Sequence, residues 1–217
     1  MLAPTGFMSS ASEALQEAVA SLASRVALAP GEVLFEQGDA GDALFAILEG
    51  AVEISVLSGD GRKLSLDVLR SGAILGEIAF FDPGERTATA TALEASRLLR
   101  VRNGDMAEAI RRRPELGIDM IGLAGQRMRW MNRQLSDQVF LPLAARLARK
   151  ILHLSGEGDA PLRMSKSDLA EFVGTTREAV SKTLADWKRD GVVEAPRGMI
   201  RIANRAALED LAELGAP

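Results

Sequence analysis

The period of the apolar positions changes three times along this chain. Leu15, Val19 and Leu22 recur at helical spacing, with Ser10 or Ser12 placed to cap the helix and a loose start over residues 1–10. Beyond Pro30-Gly31 the pattern breaks into short β-type runs at 32–35, 43–48, 52–57, 64–69 and 73–75. Turn residues part them at Gly38, Gly41, Gly50, Gly59-Asp60-Gly61 and Gly72, and 58–61 reads as a hairpin turn. An alternating run at 87–91 and a further run at 96–101 extend the series, so this region predicts a β-barrel or roll.

Helical spacing then returns. Asn103 is placed to cap a short helix ending in Arg111-Arg112-Arg113, and Pro114 opens a long one. Ile118, Ile121, Gly125, Met128, Asn132, Leu135 and Val139 fall at alternating three- and four-residue steps, an a/d seam that predicts a parallel two-helix coiled coil and a homodimer through 114–140. Leu141-Pro142 breaks the helix as a hinge, and 143–154 forms another amphipathic helix. Residues 156–161 read as a loop. From 165 to 184 the pattern is helix, glycine turn, helix: Leu169 and Val173 face inward, Ala170 allows a close crossing, and Gly174 permits the turn. Val180, Leu184 and Trp187 line the buried side of the second helix; 192–194 and 199–202, joined through Arg197, predict a β-hairpin wing.

Composition adds three constraints. With 217 residues, 47% of them hydrophobic, the chain has core material for two small domains. It has neither an apolar run of membrane-spanning length nor an export signal, and lacks cysteine, which excludes disulfides and thiolate metal ligands; the expectation is a cytoplasmic protein away from the membrane. The net charge of −4 is unevenly spread. Residues 1–139 carry 14 basic against 19 acidic residues, a balance of −5, while 140–205 carry 12 against 8, a balance of +4. An acidic front and a basic back suggest two tasks.

Candidate chemistry concentrates in two stretches. In 76–88, Gly-Glu-Ile-Ala-Phe-Phe-Asp-Pro-Gly-Glu-Arg-Thr-Ala, a strand end leads into one helical turn, a loop and a strand. Backbone N–H groups of that turn and the Arg86 guanidinium can converge on a small anion, while Glu77 can accept from a sugar hydroxyl. The plainer alternative is a Glu77–Arg86 ion pair at a barrel edge. In the second stretch, Thr176, Arg177, Ser181 and Lys182 form a polar helix face suited to a major groove. Against this, Glu178 and Lys182 are spaced to pair with each other on a solvated surface.

The first stretch resembles the phosphate-binding cassette of cyclic-nucleotide-binding domains, and 31–39 and 44–50 resemble that family's opening strands. The second, especially Val-Gly-Thr-Thr-Arg-Glu-Ala-Val-Ser-Lys, resembles the winged helix-turn-helix of catabolite-activator and fumarate-nitrate-regulator transcription factors. Those regulators join the two modules in this order through a dimerising helix. The resemblance implies an α+β chain: a β-roll (jelly-roll) effector domain with flanking helices over 1–113, a dimerisation helix over 114–140, and a winged helix-turn-helix over 141–217. It implies a non-enzymatic, ligand-gated regulator of bacterial transcription, with double-stranded DNA and RNA polymerase as partners.

Residue by residue, the resemblance places ligand contacts at Gly76, Glu77, Ile78, Ala79, Arg86 and Thr87, and at Met131 and Asn132 on the long helix. Asn132 reads equally as the polar residue that fixes coiled-coil register. Cyclic AMP is the first expectation and cyclic GMP, or a dual response, the second. Haem and iron–sulfur clusters are not expected, because the chain has no cysteine and its one histidine, His153, follows the hinge. Arg177 and Glu178 match base-reading positions, with Ser181 and Lys182 beside them, and Lys166, Thr176 and Arg197 match phosphate contacts. Two rivals remain: a nucleotide-regulated enzyme or channel subunit, and a DNA-binding dimer whose barrel senses nothing.

Overall fold

The computed structural model describes residues 12–156 and 161–214, and the chain divides into two units, 1–130 and 131–217. Ser10 and most of the 156–161 loop lie outside the described residues.

The first unit opens with α1 (Glu13–Leu22), capped by Ser12, whose hydroxyl accepts the Leu15 N–H at 3.2 Å. Then come β1 (Ser24–Leu28), β2 (Val33–Phe35), β3 (Ala43–Glu49), β4 (Ala51–Leu57), β5 (Lys63–Arg70) and β6 (Ile74–Leu75). A single helical turn α2 (Ile78–Phe81) leads to β7 (Thr89–Ala92) and β8 (Ser96–Arg102), followed by α3 (Asn103–Arg112) and α4 (Glu115–Phe140), whose residues from Met131 on belong to the second unit. The strands make two four-stranded antiparallel sheets, ordered β1-β8-β3-β6 and β2-β7-β4-β5.

Alternation decides what the sheets bury. Phe45, Ile47 and Leu98 of one sheet meet Val52, Ile54, Leu69 and Ala90 of the other in one apolar core, which makes the pair a roll. On the outer face of the first sheet, Leu44, Ala46, Ile74 and Val101 pack under Leu15 and Val19 of α1, Met106 of α3 and Leu116, Met120 and Leu123 of α4. The helices therefore cover one sheet only.

Two details differ from the sequence pattern. Residues 24–28 form a strand paired along its full length with β8, where the pattern marked none. Asn103 is the first residue of α3, and its amide spans to two other segments.

In the second unit, α5 (Leu143–Ser155) follows Pro142, whose carbonyl accepts the Arg146 N–H at 3.1 Å. Next are α6 (Lys166–Val173), α7 (Arg177–Arg189), the short hairpin β9 (Val193–Glu194) and β10 (Arg201–Ile202), and α8 (Arg205–Glu213). Leu208 and Ala212 of α8 are buried, and Arg149 of α5 donates to the Ala212 carbonyl at 2.8 Å. Among the described residues, no helix is long and apolar enough to cross a membrane.

Candidate functional site

The cassette is a loop folded around one guanidinium. After β6 the chain passes through Gly76 at φ +78°, a backbone region that side chains strain. Space forbids a side chain too: a Cβ on Gly76 would lie 2.5 Å from Arg86 Nη1 and 3.1 Å from the Ala43 carbonyl. Glu77 then starts the α2 turn, its carbonyl accepting from the N–H groups of Phe80 and Phe81. Ala79 packs against Gly41, and the amide of Asn103 donates to the carbonyls of both, at 3.1 and 3.0 Å. The returning segment lies along 38–41, with the Arg86 N–H on the Asp39 carbonyl at 2.7 Å and the Gly38 N–H on the Arg86 carbonyl at 2.9 Å. Backbone bonds thus set where Arg86 enters the roll.

Arg86 is only 5% exposed. Its Nη1 donates to the Gly76 carbonyl at 3.1 Å and its Nη2 to the Ala43 carbonyl at 2.7 Å, while Nε, buried as well, has no hydrogen-bond partner. The guanidinium lies over the Phe35 ring at 4.3 Å and near the Phe45 ring at 5.7 Å. Burial pushes its pKa below the ordinary arginine value; Asp42 opposes that, Arg100 adds to it, and Asp39 and Glu77 oppose it from a distance. Arginine stays protonated regardless. Among the described residues no carboxylate forms an ion pair with it, so Arg86 is a buried cation solvated by two carbonyls and two rings. Such a charge is costly unless an anion offsets it.

Glu77 has a different partner. Its carboxylate stands 3.5 Å from Arg127 of α4, both side chains being nearly buried, and the Arg127 guanidinium lies 4.6 Å from the Trp130 ring. The Glu77–Arg86 ion pair considered above is absent. Arg127 was missed in the sequence, although a signal was there. Leu116, Met120, Leu123 and Arg127 fall on one helical stripe, so a charge continues a buried apolar face.

The other cassette positions spread out. Ile78 is exposed, the Ala79 side chain faces Gly41, and Thr87 is exposed one residue beyond the buried Arg86. The regular strand begins at Thr89, two residues later than the alternating pattern suggested. Gly76, Glu77 and Arg86 are brought together; Met131 and Asn132 fall in the second unit, exposed on α4.

The helix-turn-helix is held by local chemistry. Ser165 and Asp168 form a reciprocal capping box, with bonds of 3.1 and 2.9 Å. Gly174 turns the chain in the left-handed region, at φ +67° and ψ +48°. Thr176 caps α7 by accepting the Ala179 N–H at 3.2 Å, so its hydroxyl serves the helix as well as its surface. Leu169, Val173, Val180, Leu184 and Trp187 are buried as their spacing predicts, with Phe172 added. In the wing, the isolated bridge between Leu162 and Ile200 adds a third segment beside the hairpin.

On the solvent side, Arg177, Glu178 and Lys182 are exposed, Ser181 and Lys166 are half-buried, and Arg197 stands exposed in the wing turn. Arg189, Arg201 and Arg205 are engaged with acidic side chains at 2.9, 3.5 and 3.2 Å. Among the described residues, Arg177, Lys182, Lys166 and Arg197 are engaged with none, and Glu178 and Lys182 do not pair. This face keeps its cations available.

A roll carrying a phosphate-type cassette, followed by a winged helix-turn-helix, defines a DNA-binding regulator with an effector domain. Comparison with known proteins agrees. Residues 25–113 match the cyclic nucleotide-binding domain model and residues 145–211 the Crp-like helix-turn-helix domain model. The chain is 32% identical over 187 residues to a CRP-like cAMP-activated global transcriptional regulator of Mycobacterium tuberculosis, covering 82% of this chain and 80% of that one. It is 33% identical over 183 residues to the cyclic AMP receptor protein of Thermus thermophilus, covering 84% and 85%. A CRP/FNR-family transcriptional regulator of Thermus thermophilus superposes with a TM-score of 0.76 at 27% identity, over 88% of this chain and 98% of that one. The chain belongs to the CRP/FNR family of transcription regulators, proteins that act by binding and not as enzymes.

Proposed function

We propose that this protein is a homodimeric transcription regulator gated by a cyclic nucleotide, with cyclic AMP as its principal ligand. The observation that carries this reading is Arg86, a buried guanidinium with a free Nε and no carboxylate partner. A cyclic phosphate supplies the missing charge with one negative group that Arg86 and the backbone N–H groups of 77–79 can share. The ribose hydroxyl donates to Glu77. Because Glu77 also faces Arg127, ligand binding redistributes the charge at α4, the helix that carries the dimer seam. Ile78, Ala79 and Thr87 frame the phosphate loop. Cyclic AMP ranks first because both relatives described above carry it in their names.

The dimer reading rests on α4. Ile118, Ile121, Met128, Leu135 and Val139 are each 60–73% exposed in one chain, whereas Leu116, Met120 and Leu123 on the other face are at most 5% exposed. Each seam side chain stabilises a coiled coil by about 1.5–3 kcal/mol when fully buried. Asn132, at an a position, sets the register. Two copies of α7 then enter successive major grooves about 34 Å apart on a near-palindrome. Arg177 and Glu178 read base edges with Ser181 and Lys182, while Lys166, Thr176 and Arg197 hold phosphates.

Isothermal titration calorimetry of the whole protein with cyclic AMP and with cyclic GMP tests the ligand. Saturable binding of cyclic AMP, one per protomer, is the expected result. Heats of dilution alone with both nucleotides would leave a ligand-independent operator-binding dimer.

A further inference from the structure

The second unit holds a cavity that neither the cassette nor the DNA-reading face uses. It measures about 160 Å³ and lies between the C-terminal part of α4, α5 and the last turn of α6; among the described residues that line it, none belongs to α7 or the wing. Three of its side chains are cations, Arg146, Arg149 and Lys150, and one, Asp137, is a carboxylate. Arg149 is already engaged, donating to Asp137 and to the Ala212 carbonyl, each at 2.8 Å. Asp137 therefore offsets one cation and the balance of the lining stays positive. Lys150 is 9% exposed, its ammonium 5.1 Å from the ring of Phe172, another wall of the cavity. Arg146 is the cation with a vacancy among its donors. Its Nη1 donates to Gln138 of α4, while its buried Nε has no hydrogen-bond partner among the described residues. A guanidinium so placed is costly without a counter-charge.

We propose that this cavity is an anion site, distinct from the cassette, for inorganic phosphate or a small phosphate monoester. Size selects against a nucleotide. Pockets for drug-sized ligands run from about 300 to 1,000 Å³, whereas this one has the room of about five waters at ~30 Å³ each. Phosphate suits the lining because a guanidinium presents donors in a fork that matches its oxygens, and the Lys150 charge adds to the attraction. The dimer seam does not draw on these groups: Asp137 and Gln138 fall outside the a/d positions Asn132, Leu135 and Val139. Gln138 links the cavity to the reading module. It accepts from Arg146 and donates to the Val173 carbonyl at 3.3 Å, and Val173 immediately precedes the Gly174 turn. An anion on Arg146 competes with Gln138 for the guanidinium, which makes the cavity a place where a second, small signal meets the helix-turn-helix.

The test is calorimetry of the whole chain with inorganic phosphate, in a phosphate-free buffer at fixed ionic strength. It is run in the Arg86→Ala background, so that the cassette does not compete for the ion. Saturable binding of one phosphate per protomer is expected there. Adding Arg146→Met should weaken it by about tenfold or more, through loss of a charged hydrogen bond. Adding Asp137→Asn should instead tighten it by about threefold, because a like charge leaves the wall. Heats of dilution alone in the Arg86→Ala background, or binding that Arg146→Met leaves unchanged, would overturn the inference. Circular dichroism checks each fold. If Arg146→Met does not fold, Asp137→Asn decides, and unchanged or weaker phosphate binding in that variant counts against the site.

Discussion

Arg86 and Arg177 carry the same guanidinium into opposite surroundings. Arg86 is buried against two phenylalanine rings, with two carbonyls and no carboxylate around it. Arg177 is exposed on the first turn of α7, and no acidic side chain among the described residues engages it. Neither has a carboxylate partner among the described residues, and under the proposed function one meets a phosphate and the other a base, yet the energetics differ. In the roll, desolvation has already been incurred during folding, so a small anion gains a strong, weakly screened interaction. On α7 the charge stays hydrated, so its value depends on salt and on many neighbours acting together. A buried single cation suits a small ligand of one charge. A row of exposed ones suits a polyanion.

Substitutions can break this contrast, and the largest effect belongs to the roll. Arg86→Ala should lose roughly 2–5 kcal/mol of nucleotide affinity, because a phosphate in a closed site is then left without its counter-charge; calorimetry reads this, and the loss should persist at high salt. Gly76→Ala comes next. Its methyl group collides with Arg86 Nη1 at a backbone angle that disfavours it, so thermal unfolding should report a loss of about 1–3 kcal/mol together with weakened nucleotide binding. Arg177→Ala should cost about 1–3 kcal/mol on the preferred site and relax the choice at one base position, measured by titration against a set of single-base variants. Equal loss on every sequence would make it a phosphate contact. Smallest is Lys166→Ala, expected to weaken all duplexes alike and to reduce the slope of log affinity against log salt by about 1.

Much of this arrangement is legible from periodicity and turn chemistry. The alternating runs locate most of the strands, and Gly174 marks the turn of the helix-turn-helix, because a left-handed turn is a local event; the caps that Ser165 and Thr176 supply emerge only in the structure. What escapes depends on distant partners. β1 is a strand only because β8 offers it an edge; Ser24-Arg25-Val26-Ala27-Leu28 has one polar-to-apolar alternation too few to stand out. α8 likewise gains its buried face from α5. Glu77 and Arg86 are conspicuous in the sequence as opposite charges nine positions apart, and pairing them with each other is the natural guess. The fold instead gives Glu77 to Arg127 and leaves Arg86 among backbone carbonyls, since Gly76 and Ala43 reach the guanidinium first.

The central claim is that a nucleotide on Arg86 controls DNA binding by α7. Fluorescence anisotropy tests it with a near-palindromic duplex selected by the wild-type protein from a random pool, titrated with and without cyclic AMP, for the wild type and for Arg86→Ala. The account predicts that cyclic AMP tightens binding by the wild type and leaves Arg86→Ala unchanged. Equal wild-type affinity for the duplex with and without the nucleotide would contradict it.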